Sequence, residues 1–199
     1  MQYMVSDGQT ICRSVILSVS EESRCQIHRL IGGDNSIQIR SATPNDAEAI
    51  ATIYNQGIED RVATFETRFR SEEDVLAWFD DVHPVLVVEK DSEIIAFASS
   101  FAYSARECYA GIAECSVYVK RDMRHYGAGR IALEALICAA EKAGFWKLVS
   151  RVFIDNKASR KLISSLGFRE VGMYEKHAKL DGIWRDVIIV ERLIESNLK

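Results

Sequence analysis

Residues 123–136 read MRHYGAGRIALEAL, with Gly127 and Gly129 at the mouth of an apolar helical run and Arg124 three residues ahead of the first glycine. Immediately before this stretch, IAECSVYVK (112–120) has the β-branched and aromatic character of a strand. A strand that turns through glycines into a helix points several unpaired backbone N–H groups, and the positive end of the helix dipole, at one place. The stretch therefore predicts an anion site over residues 125–130. The alternative is a tight turn and nothing more. Two nucleotide-binding patterns are excluded outright, because Ala132 leaves G-x-G-x-x-G incomplete and no G-x-x-x-x-G-K-[ST] occurs.

The surrounding chain narrows the ligand. Its 199 residues are 48% hydrophobic, enough for one domain with a sizeable core. A net charge of −4 argues against a nucleic-acid or anionic-membrane footprint, so the expected partner is a small molecule. No apolar run approaches the roughly 20 residues that cross a bilayer. The stretch SVILSVS (14–20) has neither a basic segment before it nor an A-x-A-like site after it, which argues against a secretory signal. Cys12, Cys25, Cys108, Cys115 and Cys138 are odd in number and never spaced C-x-x-C, and His28, His83, His125 and His177 stand alone. This pattern suits a reducing cytosol and gives no support to a metal.

Residues 1–36 lack sustained periodicity and end in GGDNS, which reads as a flexible leader ahead of one domain over 37–199. IQIRSA alternates as a strand. Thr43 and Pro44 then open a helix over PNDAEAIATIYNQGI, burying Ala47, Ile50, Tyr54 and Ile58. Ser71 signals a second helix with Val75, Leu76 and Phe79 as its apolar stripe. Strands at 85–90 and 93–103 flank Asp91-Ser92, a two-residue hairpin turn. A helix over 128–143 is polar only along a narrow stripe, so protein should cover most of it. KLVSRVFI (147–154) reads as a strand buried on both faces, completing a strand–helix–strand crossover. A helix in NKASRKLISSL stops at Gly167, and two strands, FREVGMYEK and WRDVIIVERL, join through LDG. The pattern predicts a mixed α/β fold: a central twisted sheet, antiparallel at first and parallel at the crossover, with helices on both faces.

Arg124-His-Tyr-Gly127-Ala-Gly129 resembles the R/Q-x-x-G-x-G/A motif of the GNAT superfamily of N-acetyltransferases. In that family the loop amides hold the pyrophosphate of acetyl-coenzyme A, and the strand before the loop is splayed so that its backbone pairs with the pantetheine arm. The resemblance covers about 37–193. Within the superfamily, IYNQGIEDRVATFET (53–67), ARECYAGIAECSVYV (105–119), GFWKLVSRVF (144–153) and DGIWRDVIIVERL (181–193) are similar to phosphinothricin acetyltransferases, specifically the arsinothricin type of arsenic-resistance operons.

The resemblance implies roles for individual residues. It makes acetyl-CoA the co-substrate, held by Val117, Tyr118 and Val119, by the loop His125, Tyr126, Gly127, Ala128, Gly129 and Arg130, and by Asn156. Asn156 reads equally well as a helix N-cap. Phe65, Thr67, Arg106 and Tyr109 fall on the substrate side, with Arg106 first choice for the oxyanion and Arg61, Arg68 and Arg70 as helpers or solvated surface charges. Glu114 matches the catalytic glutamate. An amine of pKa about 9–10 is mostly ammonium at pH 7, and a carboxylate near it lowers the cost of deprotonation. Burial in an apolar strand would tune Glu114 for that task. On alternation alone, an outward-facing residue is the better reading of Glu114, and it is the resemblance that reverses this. Ile163 stands where many relatives carry a Tyr or His that protonates the leaving thiolate, which leaves Tyr118 and His177 as the remaining candidates. The implied function is acetylation of the α-amine of arsinothricin or phosphinothricin in a homodimeric enzyme. Methionine sulfoximine or sulfone as substrate, and a catalytically silent coenzyme-A sensor, are the alternatives.

Overall fold

The computed structural model describes residues 37–198, so the leader expected over 1–36, with Cys12, Cys25 and His28, lies outside the described residues. Strand β1 (Ile37–Ser41) leads into a 3₁₀ turn at Pro44–Asp46 and helix α1 (Ala47–Glu59). Asp46 holds this start in place: the Thr43 amide and hydroxyl both donate to the Asp46 carboxylate, at 2.7 and 3.0 Å. Helix α2 (Glu72–Leu76) is shorter than its pattern suggests. Of the expected stripe only Val75 is fully buried, and Leu76 is exposed. The helix ends at Ala77, and Trp78 packs its ring edge-on against Tyr54 and Phe101, at 5.5 and 5.2 Å between centroids.

The sheet then builds from β2 (Val85–Lys90), β3 (Glu93–Ala102) and β4 (Ile112–Val119), followed by α3 (Ala128–Lys142), β5 (Lys147–Phe153), α4 (Lys157–Ser165), β6 (Arg169–Leu180) and β7 (Ile183–Leu193). Its order is β1-β2-β3-β4-β5-β7-β6, antiparallel throughout except where β4 meets β5. The mixed sheet expected from the sequence is thus observed. Both two-residue turns have the backbone they require: Asp91 and Ser92, and Asp181 and Gly182, all have positive φ. β6 runs four residues beyond its expected end at Lys176, with an irregular register between Tyr174 and Ala178.

Alternation along β2 and β3 sorts two cores onto opposite faces. Val85, Val87 and Phe97 pack with Ile50, Ile53 and Val75 under α1, while Leu86, Val88 and Ala98 pack with Leu133, Leu136 and Ala140 of α3. β5 departs from the expectation of burial on both faces: Arg151 opens to solvent between half-buried Ser150 and buried Val152.

Arg40 ties β1 to this frame by a two-pronged bond to Asp46, 2.7 and 2.8 Å, and a further contact with Glu89. That guanidinium holds the Asp46 carboxyl at about 2, against an ordinary 3.8. A depressed folded-state pKa stabilises above the unfolded value, so the contribution is intact above about pH 4 and lost as pH falls toward 2. Because the Asp46 side chain is only 8% exposed, about 2 kcal/mol is at stake. Arg40→Ala is expected to lower stability by about that amount at pH 7 and to flatten the fall between pH 4 and 2 in urea melts. An acid limb identical to that of the parent would remove this role.

Candidate active site

β4 and β5 pair only through Ile112–Glu114 with Lys147–Val149. Past Glu114 the two strands diverge, and the gap between them is a cleft. A narrow branch of about 110 Å³ lies between Ser116, Val117 and Tyr118 on one wall and Ser150, Val152, Asn156 and Ile163 on the other. A wider branch of about 480 Å³ is enclosed by Tyr54, Phe65, Trp78, Phe101, Glu114 and His177. Ala63, Cys115, Tyr118 and Arg151 line both.

The glycine loop lies between β4 and α3. Gly127, with φ of 89°, is the N-cap of α3, a left-handed conformation that a residue with a side chain adopts only at a cost. The first N–H groups bonded back to the Gly127 carbonyl are those of Arg130 and Ile131, at 3.0 and 3.2 Å. The amides of 126–129 have no backbone acceptor among the described residues, so they are free for an anion. Gly129 faces the splayed strand closely: a Cβ there would stand 3.1 Å from a Val119 methyl. Arg124 fixes the loop to its surroundings, pairing with Asp60 at 2.6 Å and donating to the Val119 carbonyl at 3.2 Å. His125 has φ of 71°, Tyr126 is 75% exposed, and the Arg130 side chain pairs with Glu134. The backbone of this loop, rather than its side chains, is what it can offer a phosphate.

Asn156 is the N-cap of α4: its Oδ1 accepts from the Ser159 amide at 3.1 Å, and its Nδ2 donates to the Val62 carbonyl at 3.0 Å. The helix-cap alternative therefore holds, and the residue borders the narrow branch as well.

Glu114 sits where the strands part, but not in the apolar burial the sequence suggests. Its carboxylate is a third exposed, and Arg151 holds it with two nitrogens, Nε to Oε1 at 3.1 Å and a second, shorter contact to Oε2. The carboxylate raises the pKa of Arg151 in return. Arg151 was not singled out by the sequence reading, although a lone arginine in an otherwise apolar strand was the signal. Arg70, one of the expected helpers, lines the wide branch and pairs with Glu66 at 2.9 Å. Arg61 and Arg68 are spent elsewhere, on Asp181 and Asp74.

Of the four residues placed on the substrate side, the cleft gathers only Phe65, whose ring meets Phe153 at 4.7 Å. Thr67, Arg106 and Tyr109 do not line it; Arg106 and Tyr109 are exposed around a 3₁₀ turn at Glu107–Tyr109, where Tyr109 meets Tyr103 edge-on. Of the two proton-donor candidates, both border the cleft. Burial lifts the Tyr118 phenol well above the usual tyrosine range, so it would give its proton to a thiolate only uphill. His177 flanks Phe65 at 6.0 Å and faces the wide branch. Cys115 at the base of the cleft is likewise pushed up to about 12 by burial, which makes it an unreactive thiol.

A sheet parted at its one parallel pair, beside free amides at a helix start, is the arrangement that the GNAT resemblance implies. Residues 39–189 match the acetyltransferase (GNAT) domain model. The chain belongs to the GNAT acetyltransferase family. It is 28% identical to the phosphinothricin N-acetyltransferase of Streptomyces viridochromogenes over 80% of this chain and 88% of that protein. It is 30% identical to the L-methionine sulfoximine/L-methionine sulfone acetyltransferase of Pseudomonas paraeruginosa, over 78% and 94% of the two chains. Its structure matches the GNAT superfamily phosphinothricin acetyltransferase from Sinorhizobium meliloti in complex with acetyl-CoA, with a TM-score of 0.74 and 25% identity over 79% and 88% of the chains.

Proposed function

We propose that this acetyltransferase moves the acetyl group of acetyl-CoA to the α-amine of a small amino-acid analogue with an oxyanion side chain, of the phosphinothricin or arsinothricin type. The observation that carries the reading is the continuous cleft running from the coenzyme side of the splayed strands to Glu114. In the proposed assignment the free amides of the 125–130 loop, those of 126–129, hold the pyrophosphate and the β4 backbone at Val117–Val119, unpaired beyond Glu114 on the β5 side, bonds the pantetheine. The substrate ammonium gives one proton to Glu114. The neutral nitrogen adds to the thioester carbonyl, gives its second proton to water, and the C–S bond breaks to release coenzyme A as thiolate. With Ile163 buried in the position of the usual acid, the thiolate takes its proton from water, which a pKa near the cysteine value of about 8.5 makes inexpensive. The names of two relatives support an amino-acid analogue, and methionine sulfoximine or sulfone is the second reading on the same ground.

Thiol release from acetyl-CoA should be followed against arsinothricin, phosphinothricin, methionine sulfoximine, methionine sulfone and the common amino acids. Turnover is expected with at least one of the analogues at well above the rate for the common amino acids. Coenzyme binding without release from any amine would instead make the protein a silent sensor. Location in the cytosol and homodimer formation belong to the same proposal. The first is supported by free thiols at Cys108 and Cys115, the second by apolar side chains exposed on β6 and β7: Val171, Met173, Ile183 and Trp184. Light scattering on the same preparation reads twice the 22.4 kDa chain mass if the homodimer is right.

A further inference from the structure

Glu114 and Arg151 neutralise each other across the mouth of the gap between β4 and β5, and both line the wide branch of the cleft. The guanidinium occupies both oxygens of the Glu114 carboxylate, so an ammonium that is to dock on Glu114 has to compete with Arg151 for them. An α-amino acid carries the means to do that. Its ammonium and its carboxylate sit on one carbon, as a charge pair of opposite polarity and similar spacing to Glu114 and Arg151. Laid against them, the ammonium meets Glu114 and the carboxylate meets the guanidinium, and no charge is left unpartnered in the cleft.

We propose that Arg151 is the receptor for the substrate's α-carboxylate, and that this carboxylate takes over the guanidinium from Glu114 as the amine docks. The inference rests on the acetyltransferase reading of the cleft and adds a specificity to it: a free α-carboxylate is required, and amines without one are rejected because they leave Glu114 locked. Arg70, the second cation on the wall, is already paired with Glu66 and shares no bond with Glu114. It lines the wide branch, where a side-chain oxyanion would compete with Glu66 for it. The aromatic rings of Tyr54, Phe65, Trp78 and Phe101 form the neutral remainder of the wall, suited to the carbon chain between the two anionic groups.

The test compares free amino acids with their α-carboxamides, which keep size and amine but lose the carboxylate charge. Calorimetry on the full chain with coenzyme A bound, using L-phosphinothricin and L-methionine sulfone and the carboxamide of each, is expected to show a preference of about 10- to 100-fold for the free acid. Arg151→Gln should erase most of that preference, and Arg151→Lys should restore part of it, because a point charge replaces the fork. Since Arg151 is half exposed, both variants should fold, and a thermal melt confirms it. Equal affinity of the parent for acid and amide, no binding of either, or a preference that persists in Arg151→Gln would each overturn the proposal. Preference without thiol release would instead leave the receptor in place and remove the acetyltransferase chemistry.

Discussion

Glu114→Gln should lower kcat at pH 7 by about 10²- to 10³-fold while the affinity for acetyl-CoA stays within about 3-fold of the parent. The split follows from geometry: Glu114 lies at the base of the parted strands, on the wall of the wide branch, and it is absent from the walls of the narrow branch that leads to Asn156. The pH dependence separates a lost base from a disturbed fold. In the variant only amine already neutral in solution can react, so its rate should climb about tenfold per pH unit until the amine pKa of about 9–10, and the deficit should narrow by about two orders of magnitude between pH 7 and 9. A merely distorted cleft would lose activity by the same factor at every pH. Removing Glu114 also frees Arg151 from its only carboxylate partner among the described residues, so binding of a free amino acid should not weaken in parallel with kcat. Activity equal to the parent at pH 7 would strip Glu114 of its role.

Much of this arrangement was legible from local chemistry. The Asp91-Ser92 and Asp181-Gly182 turns, the Thr43 cap and the glycine start of α3 are each decided within a few residues, and each has the expected backbone. What escaped was set by register between distant segments. Arg151 and Glu114 are 37 positions apart and meet because β4 and β5 pair for three residues and then part, and nothing in either stretch states where pairing stops. Alternation favoured an outward-facing Glu114. The charge on Arg151 in an apolar strand, read as the burial of both faces, was the clue that two partners would meet. Trp78, expected to lie within a helix, became a wall of the cleft because α2 ends two residues earlier and the ring finds Tyr54 and Phe101. Thr67, Arg106 and Tyr109 were assigned by resemblance alone, and no local pattern placed them against the cleft.

Gly129→Val should raise the Kd for acetyl-CoA at least 100-fold and cost about 1–3 kcal/mol of stability. The two glycines of the loop serve different ends. Gly127 supplies a backbone angle, with open space where a side chain would go. Gly129 supplies proximity: a Cβ would lie 3.1 Å from Val119 and 3.5 Å from Leu162, so branched methyl groups must push the first turn of α3 away from β4 and α4. The amides offered to the pyrophosphate belong to that turn, and their geometry toward the pantetheine-binding edge of β4 is lost together with the contact. Gly129→Ala, which adds only the tight methyl, should fall between parent and Val in affinity. If the loop were only a tight turn, the two variants would lose stability in the same order but bind coenzyme A as the parent does. Fluorescence or calorimetric titration with coenzyme A, alongside thermal melts, decides between a turn and a phosphate site without any need for turnover.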